Sequence, residues 1–215
     1  MTWETLCKTA SLFSIKGCAI AGMEDILFHA ASEYSKLMET EYFFQCGKKG
    51  KLYTINLAFP KDCFHHIAGL KKLCNTYIRK RPRTEIFDKI MNREITQQVL
   101  TNEGPYEEVQ ERLTLTANLK TILESNNTEY LFIPRNFPFR TKIQADFLFV
   151  TKIERRDAFL FIAKDEKRNI YFCRSVFFKK NKDYTCGQPK LTLLYKERKN
   201  IANGESTKLY GKLRT

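Results

Sequence analysis

The chain has 215 residues, 43% of them apolar and 13% aromatic, with 37 Lys and Arg set against 24 Asp and Glu for a formal charge of +13. That length suits one medium domain with a real core. No apolar run approaches the ~18 residues of a membrane span, and Lys16 and Glu24 bracket the short stretch Cys18–Met23, so neither a membrane partner nor a secretory leader is expected.

Residues 1–40 hold three Lys and five Asp or Glu. Within them Ala19–Thr40 has the spacing of an amphipathic helix, with Ile20, Met23, Ile26, Leu27 and Ala30 on one stripe. Residues 41–81 are basic, nine Lys or Arg to two acids. Here Glu41–Cys46 and Lys51–Phe59 read as strands joined by a turn over Gly47–Gly50. Asp62 is placed to cap a helix running from Cys63 to about Tyr77. Residues 82–134 are acidic, five to nine, and predict helices over Pro82–Thr101 and roughly Tyr106–Ser125. Residues 135–199 are basic again, seventeen to seven, and around their start the period becomes that of strands. Tyr130–Ile133, Gln144–Ile153, Ala158–Ala163, Ile170–Phe178 and Leu191–Tyr195 are short apolar-aromatic runs, with Lys164–Asn169 as the clearest turn. The tail from Asn200 has little pattern. Helices followed by a meander of strands predict an α+β fold with an antiparallel sheet.

Two basic blocks around an acidic stretch form a field that attracts phosphate polymers through counterion release, without selecting one. On charge alone, a solvated basic surface with no specific partner is the alternative reading. Seven cysteines without paired spacing predict reduced thiols in a cytoplasmic protein. Cys63 and His66 have a spacing that zinc could use, but no matching pair follows. Phosphate-binding glycine loops and a G-x-S-x-G nucleophile turn do not occur, and the acids of the second basic block are isolated.

The three histidines are His29, His65 and His66. His29 falls within the first helical pattern, where a structural role fits. On a helix, Cys63, Ile67, Leu70 and Cys74 share a core stripe, leaving His66 at its edge and His65 further round. Gly69 inside such a helix costs about 1 kcal/mol against Ala, which points to close approach of a backbone or ligand. A surface histidine pair beside a packing glycine suits the spacing equally well. In Ile170–Phe178, alternation puts Arg174 in the apolar row of Phe172 and Val176, either at a sheet edge or aimed into a groove. Further on, Tyr184, Gln188, Lys190 and Thr192 could share a polar face, though an ordinary solvated face would look the same.

Phe64-His65-His66-Ile67-Ala68-Gly69-Leu70 resembles the F-x-H-L-x-G-L element of the fourth group of phage-associated barnase–EndoU–colicin–RelE-like nucleases. Ile86–Ile90 followed by Arg112-Leu113 resembles that group's helical insertion. Ala145–Phe149 resembles its a-d-y-l-l-f strand, and Ser175–Phe178, Tyr184 through Gln188 and Leu191–Leu194 resemble its closing strands. Ile67 stands where Leu is usual, and Ala68 where a hydroxyl or Leu is common. The resemblance implies N-terminal helices and a helical insertion packed on a small antiparallel sheet whose open face binds RNA. It implies one such domain over residues 1–199, with 82–127 as the insertion and 200–215 as a basic tail.

The activity it implies is metal-independent endoribonuclease chemistry, needing no cofactor, in which the ribose 2′-hydroxyl attacks the adjacent phosphorus. His66 would then be the general acid or base, Arg174 and Lys190 would steady the phosphorane, and Tyr184 would complete the catalytic set. Ser175, Gln188, Thr192 and Lys71 would hold ribose or phosphate. A toxin role with a protein antitoxin or immunity partner belongs to the same expectation. The alternatives are a non-catalytic RNA- or DNA-binding module of a mobile element, a metal-dependent nuclease, or a protein-interaction domain using the acidic helices at 82–134.

Overall fold

The computed structural model describes residues 25–73, 76–101 and 106–211. The elements are helix α1 (Ile26–Met38), strands β1 (Thr40–Lys48) and β2 (Lys51–Ala58), and helices α2 (Phe64–Ile67), α3 (Thr76–Lys80), α4 (Arg83–Met91), α5 (Gln97–Thr101), α6 (Tyr106–Ala117) and α7 (Leu119–Glu124). Six strands follow: β3 (Thr128–Leu131), β4 (Phe147–Ile153), β5 (Arg156–Asp165), β6 (Ile170–Phe178), β7 (Thr192–Asn200) and β8 (Ser206–Gly211). The predicted first helix is described from Ile26 onward; Ile20 and Met23 lie outside the described residues.

Local chemistry explains most boundaries. The Asp25 carboxylate accepts from Leu27 and Phe28 N–H at 3.0 and 3.1 Å, capping α1. Lys49 and Gly50 at φ 47° and 76° form the two-residue turn between β1 and β2, where positive φ at both positions matches the strand twist. Arg93 at φ 60° stops α4, so the helix predicted over Pro82–Thr101 is two helices. The helix predicted from Cys63 to Tyr77 is likewise interrupted. It is one turn of α2, then Gly69 at φ 74°, a 3₁₀ turn over Leu70–Lys72, and α3. Gly69 ends a helix and does not sit within one.

The sheet is larger than expected. Eight strands run in the order β3-β4-β5-β6-β2-β1-β7-β8, all antiparallel except the β2/β6 pair. The sheet curls until its far strands meet. Leu131 N–H donates to Pro189 C=O at 3.0 Å and Leu191 N–H to Glu129 C=O at 2.8 Å, so β3 pairs with the chain that runs into β7. Across the interior the Phe44 ring on β1 lies 5.0 Å from that of Phe149 on β4. Ser206–Gly211, in the tail where no strand is predicted, adds β8 to the β7 edge.

The main core joins the concave face of this sheet to α1, α4, α6 and α7. One aromatic knot fixes the region of interest. Tyr34 of α1 packs edge-on against Phe59, Phe64 and Phe87 at 5.4 to 6.2 Å, and its hydroxyl donates to Pro60 C=O. Burying a ring such as Phe64 contributes roughly 1.5–3 kcal/mol, and here it anchors a four-residue helix too short to be stable alone. A smaller cluster on the outer face gathers Phe132, Leu148, Phe159 and Phe161 under residues 137–145 and Tyr184.

Candidate active site

Strand β2 pairs with β6 at only two positions, Leu57 with Tyr171 and Ala58 with Phe172. Beyond Ala58 the chain turns away at Pro60 into α2. From Cys173 onward that edge of β6 is therefore flanked by α2 and α6 instead of by a strand. At the point of separation β6 carries a bulge. Phe161 opposes Ser175 and Ile162 opposes Cys173, leaving Arg174 as the extra residue. A bulge shifts the side-chain alternation by one and re-aims its residues. Cys173, Val176 and Phe178 all face the main core, whereas Arg174 and Ser175 both turn outward. The predicted row of Phe172, Arg174 and Val176 on one face is corrected accordingly.

The turned-out pair lines a cavity of about 210 Å³ together with His66, Gly69, Lys71, Lys72, Arg112, Lys142 and Gln144. Each wall has a local reason. On α2, Phe64 and Ile67 point into the core and His66 is left half-buried at the rim. The turn after Gly69 buries Leu70 and sends Lys71 and Lys72 outward. On α6, Val109 and Leu113 face the core, and Arg112 reaches across Gly69 to the sheet. Its Nη1 donates to Ser175 Oγ at 2.9 Å, and its guanidinium lies 5.4 Å from the Phe177 ring centre. A Cβ on residue 69 would come within 2.5 Å of Arg112 Cδ. Gly69 thus serves two ends: positive φ, and passage of an arginine over its backbone. The third wall is residues 139–145, where Ile143 and Ala145 pack on the outer cluster and Arg140, Lys142 and Gln144 are exposed.

The cavity is electrostatically one-sided. No carboxylate lines it, and among the described residues no ion pair involves Lys71, Lys142 or Arg174. Lys72 is paired with Glu108. Partial burial lowers the Lys71 pKa, and Arg174, Arg112, Arg83 and Lys72 lower it further. Burial also pushes His66 down to about 4, reinforced by Arg83, Lys71 and Arg174. Its neighbour His65 is buried behind it, held near 4 mainly by desolvation, with no hydrogen-bond partner on Nδ1 among the described residues. Both imidazoles are therefore neutral at pH 7. A site crowded with unneutralised cations is organised to receive an anion, which would remove the repulsion and raise the His66 pKa.

Of the eight residues proposed from sequence, His66, Lys71, Arg174 and Ser175 come together here. The other four do not. Gln188 is 8% exposed, and its amide accepts from Ile133 N–H at 2.6 Å and donates to Ile133 C=O at 3.1 Å, so it straps a loop instead of facing a ligand. Lys190 bridges Tyr130 at the seam where the sheet closes, and Thr192 opposes Gly47 on β1. Two strands separate that seam from β6 in either direction around the sheet. Tyr184 is nearer: its ring packs among Phe159, Phe161 and Phe177, and it lines a second cavity of about 280 Å³ that shares Lys72, Arg112, Ile143 and Phe177 with the first. Sequence reasoning had not placed Arg112, Lys142 or Gln144 at the site. A lone Arg in an acidic helix was the available signal for the first.

Among the described residues no three His, Cys, Asp or Glu side chains cluster as a metal site would require, and no helix is long and apolar enough to cross a membrane. The described cysteines Cys46, Cys63, Cys173 and Cys186 are free thiols.

The family model described as phage-Barnase-EndoU-ColicinE5/D-RelE like nuclease 4 matches residues 26–213. The chain belongs to that family. The match spans every element from α1 to β8, and so covers every residue that lines the cationic cavity. Among curated proteins and among solved structures there is no match. Family membership supports a nuclease; the substrate and the reaction path are matters for the site itself.

Proposed function

We propose that this nuclease-family chain is a metal-independent endoribonuclease with its reaction centre in the cavity between α2, α6 and the bulge of β6. The observation that carries the reading is the convergence of one neutral, half-buried histidine with Lys71, Arg112 and Arg174 in a pocket lined by no carboxylate. Such a set can run transesterification with the protein's own groups. His66 takes the proton of the ribose 2′-hydroxyl as its oxygen bonds to phosphorus, which a neutral imidazole can do and an imidazolium cannot. Arg112 and Arg174 bind the non-bridging oxygens and stabilise the extra charge of the phosphorane. Ser175, held by Arg112, orients the same phosphate. The P–O5′ bond breaks, and the Lys71 ammonium, made more acidic by partial burial and then by its cationic neighbours, supplies the proton to the leaving 5′ oxygen. The products are a 2′,3′-cyclic phosphate and a 5′-hydroxyl.

The test is incubation of the purified chain and its His66→Ala variant with single-stranded and structured RNA in EDTA. Wild type should cleave and leave 2′,3′-cyclic phosphate ends. The variant should be slower by about 10²–10⁴-fold, the usual contribution of a general acid or base. Cleavage that requires an added divalent ion, or 5′-phosphate products, would overturn the mechanism. Salt-sensitive binding with no cleavage of any RNA would leave a non-catalytic nucleic-acid module.

A further inference from the structure

Beside the reaction cavity lies a group of aromatic rings that the chemistry above does not use. Phe137 and Phe139 are stacked, with centroids 4.9 Å apart and planes 15° from parallel, and Tyr184 meets both edge-on at 5.7 and 5.4 Å. All three are only half-buried, on segments outside any regular element. Their surround is cationic. Arg140 and Lys142 are exposed on the same stretch, and the exposed Lys182 places its ammonium 5.1 Å from the Phe139 ring centre.

The stack is also continuous with the reaction site. Tyr184 lines the second cavity, whose walls include Arg112, Ile143 and Phe177, and these three also line the His66 cavity. The acids at its far end are already committed, Glu108 to Lys72 and Glu111 to Arg156 and Lys180, so they do not repel a phosphate chain. A ring that only seals the sheet gains a cation–π contact from Lys182 but has no use for the further exposed cations Arg140 and Lys142. Rings that receive a planar, uncharged group next to a phosphate need them.

We propose that the Phe137–Phe139–Tyr184 platform is a stacking subsite for an unpaired nucleobase of the same strand whose phosphate occupies the His66 cavity. The inference rests on the nuclease reading and adds a substrate class, single-stranded RNA extending past the scissile phosphate. A base stacks on Phe139 as the flexible Lys182 side chain swings from the ring to the adjoining phosphate. A duplex cannot use the platform, because its bases already stack on one another.

The experiment uses the full chain carrying His66→Ala, so that RNA binds and is cut too slowly to disturb the measurement, and a single-stranded oligoribonucleotide carrying 2-aminopurine at successive positions. One position should show fluorescence quenching on binding. The added change Phe139→Leu, which keeps bulk but removes the ring, should abolish that quenching and weaken binding about tenfold. Phe139→Trp should retain both. An abasic residue at the quenched position should weaken binding as much as Phe139→Leu does, and the two changes together should cost no more than either. Undiminished quenching in Phe139→Leu, additive losses, or equal sensitivity of a duplex to Phe139→Leu would overturn the subsite. Quenching that behaves as expected, in a chain whose wild type cuts no RNA, would retain the subsite and remove the nuclease reading. Equal thermal unfolding of the Leu and Trp variants checks that neither effect comes from misfolding.

Discussion

Among the described residues two sets of cations, one inside the curled sheet and one along its β6 edge, are handled in opposite ways. Inside, Lys196 of β7 is 2% exposed, yet its ammonium donates to Leu123 C=O at 3.0 Å and Ser125 C=O at 2.8 Å. It closes the C-terminal end of α7, where carbonyls lack helical partners and the helix dipole is negative. Glu129, also buried, sits in the same field, its carboxyl lifted to about 7 by desolvation and drawn back by Lys196 and Lys190. At the β6 edge, Arg112 makes one hydrogen bond to a neutral hydroxyl, and Arg174 and Lys71 have no carboxylate partner among the described residues. A fold that satisfies the buried Lys196 fully and leaves the more open cations of the β6 edge unneutralised separates the cation that holds structure from those proposed to bind phosphate.

Three changes would break or sharpen that contrast. The largest effect should come from Lys196→Met, which keeps the volume but leaves two carbonyls and a buried carboxyl without their cation. Urea unfolding should show a loss of about 3–5 kcal/mol, while the folded protein keeps its affinity for RNA within about twofold. A loss under about 1 kcal/mol would mean that the interior lysine is not the structural half of the comparison. Next is Glu129→Gln. A carboxyl whose folded pKa lies above its unfolded value binds more protons when folded, so it stabilises at low pH and that stability fades as pH rises from about 4.5 to 7. His65 and His66 act with the opposite sign. Their folded pKa values lie below the unfolded value, so stability is lost as pH falls from about 6.5 to 4. The glutamine variant should therefore gain stability relative to wild type above pH 7, by up to about 3 kcal/mol, and its stability should rise more steeply through the acidic range. Unchanged pH dependence in chemical unfolding would remove Glu129 from the account. The smallest effect is Gly69→Ala. Positive φ costs an alanine about 1–2 kcal/mol, and the new methyl must displace Arg112. Stability should fall by about that much, and cleavage should fall further than stability explains, because Arg112 would lose Ser175. A stability loss with unimpaired turnover would detach Arg112 from the site.

Local pattern located most of the elements, and four of the eight residues proposed from sequence meet in one cavity. Strong alternation located β1, β2 and β6 closely, whereas His66 and Lys71 were singled out by the family resemblance of the stretch around Phe64–Leu70. Positions failed where one contact far along the chain decides direction. Tyr184, Gln188, Lys190 and Thr192 were grouped on the assumption of one regular strand face. Gln188 instead straps Ile133, and Lys190 and Thr192 follow the seam that closes the sheet.

By itself, then, the order of residues located most helices and strands and set two basic blocks around an acidic stretch, since these depend on neighbours a few positions away. The tertiary structure alone decided the curl of an eight-stranded sheet, the bulge that turns Arg174 and Ser175 to the same side, and the reach of Arg112 over Gly69. Those depend on pairings between segments dozens of residues apart, such as Phe161 with Ser175 and Arg112 with Ser175. A strand's alternation says nothing of the one extra residue that a distant partner forces it to accommodate.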